Sequence, residues 1–83
     1  MMKLITILTK RQAEIFMLVV QGYSQREIAK KLKVSDAVVS KVLHKVYAKL
    51  EVRNVVEAIY TCMSHGLLSV KDLQRKREEA QNE

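Results

Sequence analysis

Residues 25–44 read QREIAKKLKVSDAVVSKVLH, and their apolar members fall into two short helical stripes with a break between them. Ile28, Ala29 and Leu32 share the buried face of one helix, Val39 and Val42 that of a second, and Val34 stands at the junction. Two helices that cross at a tight turn need a small residue where they touch, and Ala29 meets that need. Interleaved with these positions, or just beyond them, are Arg26, Lys30, Lys31, Lys33, Lys41 and Lys45. A bihelical unit with an apolar inside and a basic outside is a helix-turn-helix pattern, and the partner it suits is duplex DNA.

Capping signals on either side extend the helical reading. Thr9-Lys10-Arg11-Gln12 is a capping box that opens a helix over about 10–21, with Ala13, Phe16, Met17 and Val20 as its inner stripe and Gly22 as its stop. Ser24-Gln25-Arg26-Glu27 is a second box, opening a helix to about Leu32. Ser35 caps a third helix to about Leu50, with Asp36 near its positive end. Asn54-Val55-Val56-Glu57 reads as a further box, for a fourth helix over about 54–65 that stops at Gly66. With no proline and only two glycines, the chain is expected to be all-α, with no strands. Residues 1–8 read as a short N-terminal arm, lying on the core or pairing as a strand with another chain; 9–68 form the domain. Residues 69–83 form a polar C-terminal extension, where Ser69-Val70-Lys71-Asp72 resembles one more cap but fraying is the favoured expectation.

The net charge of +6 is concentrated in the folded part. Residues 1–68 hold eleven basic and five acidic side chains, whereas 69–83 hold four of each. Between positions 26 and 49, seven basic residues face only Glu27 and Asp36, a distribution suited to neutralising phosphates. An 83-residue chain makes one small domain with a marginal core, so docking onto a second subunit would add useful stability. No apolar run approaches the roughly 18 residues of a membrane span, and MMKLITIL lacks a small-residue cleavage site. No membrane association is expected, and the cytoplasmic nucleoid is the expected location. Cys62 stands alone, which excludes an internal disulfide and a multi-cysteine zinc site; a small buried side chain is its plain reading. No ligand set completes His44 or His65, so neither a metal nor a cofactor is expected. Nor is there a nucleophile–base pattern, a paired-carboxylate pocket or a phosphate-cradling glycine loop, and an enzyme is the weakest reading.

In a helix-turn-helix the second helix lies in the major groove and the first braces it across the backbone. The outward positions of the second helix are Asp36, Ala37, Val38, Ser40, Lys41, His44 and Lys45. Ala37 and Val38 are of a size and polarity to touch thymine methyl groups, Ser40 and Lys41 to reach base edges or phosphates. Ser35, His44 and Lys45 complete the expected DNA-facing set on that helix, and Arg26, Lys30 and Lys31 on the first suit phosphates. For Val38 a core position is an almost equally good reading. On the fourth helix, Ala58, Ile59 and Cys62 are expected to point inward, leaving Val55, Val56, Tyr60 and Met63 as an exposed patch for a two-fold homodimer.

From Leu8 to Leu68 the chain resembles the LuxR-type (GerE- or NarL-type) four-helix DNA-binding domain. The matching residues are LTKRQAEIF at 8–16, QGYSQREIAKKLKVS at 21–35, Val39, Lys49-Leu50, Val52, Arg53, EAI at 57–59 and HGLL at 65–68. The resemblance implies transcription regulation, dimerisation through the fourth helix and, with no receiver or ligand-binding domain in view, a stand-alone form. Departures cluster in the helix expected to read DNA: Val38, Ser40 and Val42 stand where the family usually has threonine, lysine and histidine. Glu51 replaces a usual glycine, with a change of turn geometry expected, and Val55 replaces a frequent polar residue. RNA polymerase or another regulator would be a further partner. Two rival readings are a sigma-factor region-four-like promoter module, against which the fourth helix and HGLL ending count, and a protein-interaction adaptor that uses the fourth helix without DNA.

Overall fold

The computed structural model describes residues 7–74, so the expectations for 1–6 and for most of the tail lie outside the described residues. Within them the chain forms α1 (Lys10–Val20), α2 (Gln25–Leu32), α3 (Asp36–Leu50), α4 (Val55–Ser64) and a closing 3₁₀ turn at Val70–Leu73. The described residues contain no strand.

Each helix starts on the residue that the capping signals mark. The Thr9 and Ser24 side chains accept from the backbone N–H groups of Gln12 and Glu27, whose side chains reach back to the cap N–H groups at 3.0 and 2.9 Å. The Ser35 hydroxyl accepts from Val38 N–H at 3.2 Å. The fourth start departs from the expected box. Asn54 Oδ1 accepts from Glu57 N–H at 2.9 Å, but the Glu57 carboxylate reaches one residue further out, accepting from the backbone N–H of Arg53 at 2.9 Å and its guanidinium at 3.1 Å. That backbone hydrogen bond, followed by the guanidinium, holds Glu57 below its ordinary value.

The four α-helices of the described residues end in the same way. A residue with positive φ follows the last turn, and the next N–H closes onto a carbonyl five residues back: Tyr23 to Leu18, Val34 to Ala29, Val52 to Tyr47 and Leu67 to Cys62, at 3.1, 2.9, 2.9 and 2.7 Å. This is the Schellman arrangement, which satisfies carbonyls that a helix end leaves open. Two of the positive-φ residues are Gly22 (φ 97°) and Gly66 (φ 73°), but the other two are Lys33 and Glu51, both at φ 59°. Glu51 therefore keeps the left-handed turn that a glycine would favour, contrary to the expected change of geometry. Left-handed backbone costs a residue with a Cβ about 1–2 kcal/mol.

The core has two parts. One gathers Leu8, Ala13, Phe16, Val20, Val46, Ala58, Cys62 and Leu68; the other gathers Ile15, Tyr23, Ile28, Ala29, Val39 and Leu43. Helix α3 belongs to both, through Val46 on one side and Val39 and Leu43 on the other, with Val42 and Tyr47 packed against each. Lys49 Nζ adds a tie to α1 by donating to Gln12 Oε1 at 2.9 Å. Leu8, assigned to the arm by sequence, is a core residue, and Leu73 in the 3₁₀ turn packs on the same cluster. The segment after Leu68 thus turns back onto the domain through residue 73 instead of fraying there, held by Asp72 accepting from Ser69 N–H at 2.9 Å.

Candidate nucleic-acid interface

The side of α3 opposite its core contacts carries the expected DNA-facing residues. Ser35, Ala37, Val38, Lys41, His44 and Lys45 are exposed, and Ser40 is half-buried. Val38 is 44 % exposed, which decides between its two readings: it points away from the core. Val42, one turn beyond, is half-buried between the two clusters, so the valine in place of a family histidine serves packing.

On α2, Ile28 and Ala29 are buried while Arg26, Lys30 and Lys31 face outward. Among the described residues, Arg26, Lys30, Lys41 and Lys45 form no ion pair and no side-chain hydrogen bond; the close pairs are Arg11–Glu14 and Arg53–Glu57. Among the described residues these four cations thus face solvent without a counter-charge in contact. Lys31 differs from them. Its ammonium lies 5.4 Å from the centre of the Tyr23 ring, a cation–π contact that holds the side chain over the start of α2. The spacing pattern gave no hint of this, because Tyr23 precedes the helix and is itself buried. Lys33 is also exposed, in the turn between α2 and α3.

Beside this face, an open cleft of about 520 Å³ is lined by His44, Tyr47 and Ala48 on α3, by Val52–Asn54 in the loop, and by Val55 on α4. His65 lies at the far end of α4, with Nδ1–H donating to Thr61 O at 2.9 Å. Among the described residues, no group of three or more His, Cys, Asp or Glu side chains is placed to hold a metal ion.

The α4 patch is only partly as expected. Val56 and Tyr60 are 72 % and 74 % exposed, one turn apart, beside a cleft of about 450 Å³ that also takes in Glu51, Val52, Glu57 and Thr61. Val55 is half-buried. Met63 is half-buried and packs on the first core cluster, so it is a core-edge residue first. Ile59, expected to point inward, is likewise half-buried, while Ala58 and Cys62 are fully enclosed.

Residues 6–62 match the model of the family described as "Bacterial regulatory proteins, luxR family". The chain belongs to that family. It is also similar to the "Response regulator protein VraR" of Staphylococcus aureus, at 32 % identity over 66 residues that cover 80 % of this chain and 32 % of the relative. The proteins of that name from Staphylococcus saprophyticus and Staphylococcus epidermidis match equally well. The chain therefore spans about a third of the length of these relatives. No solved structure matches it. The matched segment includes both helices of the bihelical unit and most of α4, as a luxR-type domain requires. No helix among the described residues is long and apolar enough to cross a membrane.

Proposed function

We propose that this luxR-type domain binds double-stranded DNA sequence-specifically and regulates transcription. Helix α3 lies in the major groove, and α2 braces it across the backbone. The observation that carries this reading is the two-sidedness of α3. Its inner side is fixed by both core clusters, and its outer side presents Lys41, His44 and Lys45 to solvent. A rigid helix with an uncompensated cationic flank can be pressed against a polyanion without rearrangement. Arg26 and Lys30 add phosphate contacts from α2, and Lys31, held over Tyr23, stands beside them as a further cation. Such a regulator works on the nucleoid in the cytoplasm, with no cofactor and no catalytic role.

The reading includes a homodimer through α4. Val56 and Tyr60 are large, exposed and one turn apart, and a two-fold axis beside them would set the same pair on a second copy against the neighbouring cleft. The same exposed pair supports the second reading, an adaptor whose α4 engages another regulator without touching DNA.

Salt dependence separates the two. In a titration of the whole chain with fluorescent duplex, a DNA binder loses affinity linearly in log–log form, with a slope of about −0.9 per neutralised phosphate. A slope of magnitude about 3 or more supports groove binding by several cations. The absence of duplex binding at low salt would favour the adaptor.

A further inference from the structure

We propose that Val38 reads a thymine methyl group, so that the first turn of α3 sets a requirement for a T·A pair in the operator. The proposal rests on the DNA-binding reading above and names the base that one residue of that surface selects.

The N-terminal residues of a recognition helix are the ones that reach base edges. In α3 these are Asp36, Ala37 and Val38, all exposed. Val38 is the large apolar side chain of α3 that stands in solvent, while Val39, Leu43 and Val46 fill the core side. Helix formation does not account for it, since a β-branched residue is a poorer helix former than alanine or lysine, and at 44 % exposure the core leaves much of the side chain uncovered. A lone exposed valine is ordinary on a protein surface. This one lies on the cationic flank, because Lys41, three residues on, shares its side of the helix.

Its placement is also fixed. Val38 N–H donates to the Ser35 hydroxyl at 3.2 Å and to the Ser35 carbonyl at 3.1 Å, and valine in a helix keeps one strongly preferred rotamer. The two methyl groups therefore point in a set direction. In the major groove the one apolar group that a base pair offers is the C5 methyl of thymine; other edge positions present donors or acceptors. Valine has nothing to pair with those, and covering one would leave it unsatisfied. Ser35 is engaged by the cap, and Asp36, two residues earlier, faces another side of the helix.

The test starts from duplexes selected by the whole chain from random DNA. Each thymine of the enriched motif is replaced singly by deoxyuridine, which removes the methyl group and keeps the pairing. Kd is then measured for the natural protein and for Val38→Ala, whose folding is checked by thermal melting. The expected result is one thymine whose demethylation weakens binding by the natural protein about fourfold, the equivalent of ~0.8 kcal/mol for one buried methyl-sized group. With Val38→Ala the same replacement has no effect. An enriched motif in which no thymine is methyl-sensitive, or in which Val38→Ala keeps the full sensitivity, overturns the proposal while leaving DNA binding intact. If no motif is enriched and no salt-sensitive duplex binding is found, the DNA-binding reading falls and this inference with it.

Discussion

Single residues divide here into those proposed to touch DNA and those that shape the backbone. Lys41 is exposed and unpaired on the outer side of α3, whereas Arg26 and Lys30 are exposed on α2. Lys41→Ala is expected to weaken operator binding and to relax preference at one base position, by about 1–3 kcal/mol if it contacts a guanine edge. Arg26→Ala and Lys30→Ala should weaken all sequences alike and lower the salt slope by about one each. Binding isotherms on the operator and on scrambled duplex distinguish the two behaviours. Glu51 is a backbone residue in this sense. At φ 59° its Cβ is strained, and Glu51→Gly removes about 1–2 kcal/mol of strain against roughly 0.5–1 kcal/mol of added unfolded-state freedom. A net gain of about 0.5–1 kcal/mol should appear as a higher urea midpoint with an unchanged slope.

At the level of helices, much of the fold was legible because caps are local chemistry. Thr9, Ser24, Ser35 and Asn54 each accept the N–H three residues on, as side chains of that length do when the next residues turn helical. The helix ends were half legible. Glycine announces a left-handed residue at 22 and 66, but nothing in a lysine or a glutamate announces one at 33 and 51. There the hydrophobic residue that follows, Val34 or Val52, packs inward and draws the chain round. The outward face of α3 followed from periodicity except at Ser40, which is half-buried, and at Val38, next to Val39, where two adjacent valines offer equal claims to the core. The Lys31–Tyr23 contact depends on how the turn before α2 folds, and the inward lean of Met63 on how helices cross; spacing along one helix encodes neither.

The start of α4 also titrates. Glu57 lies below its ordinary value of 4.5, so its hydrogen bonds to Arg53 stabilise the domain fully above that pH and are lost as pH falls through the lowered folded value. Asp72, lowered chiefly by the Ser69 N–H, acts in the same direction. Urea midpoints measured from pH 6 down to 3 should therefore fall below about pH 4.5, and less steeply for Glu57→Gln, whose side chain stays neutral throughout.

For the molecule as a whole, the exposed Val56–Tyr60 pair and the basic flank of α3 make separable demands. Val56→Glu should leave the melting of the isolated domain nearly unchanged, because Val56 is 72 % exposed. It should also abolish the dimer in sedimentation at tens of micromolar and weaken binding to a palindromic site more than to a single half-site. A natural protein that sediments as a monomer at all concentrations would remove α4 from the DNA-binding assembly.

Cys62 is fully enclosed in the first core cluster, and burial pushes its thiol above the ordinary value, so alkylating reagents reach it only when the helices part. The rate at which a thiol reagent labels the chain under native conditions is then a clock for transient opening, read at one atom and without a denaturant. Saturating operator should slow that clock in proportion to how tightly the closed form is held. One sulfur thus lets a single assay report both folding stability and operator occupancy.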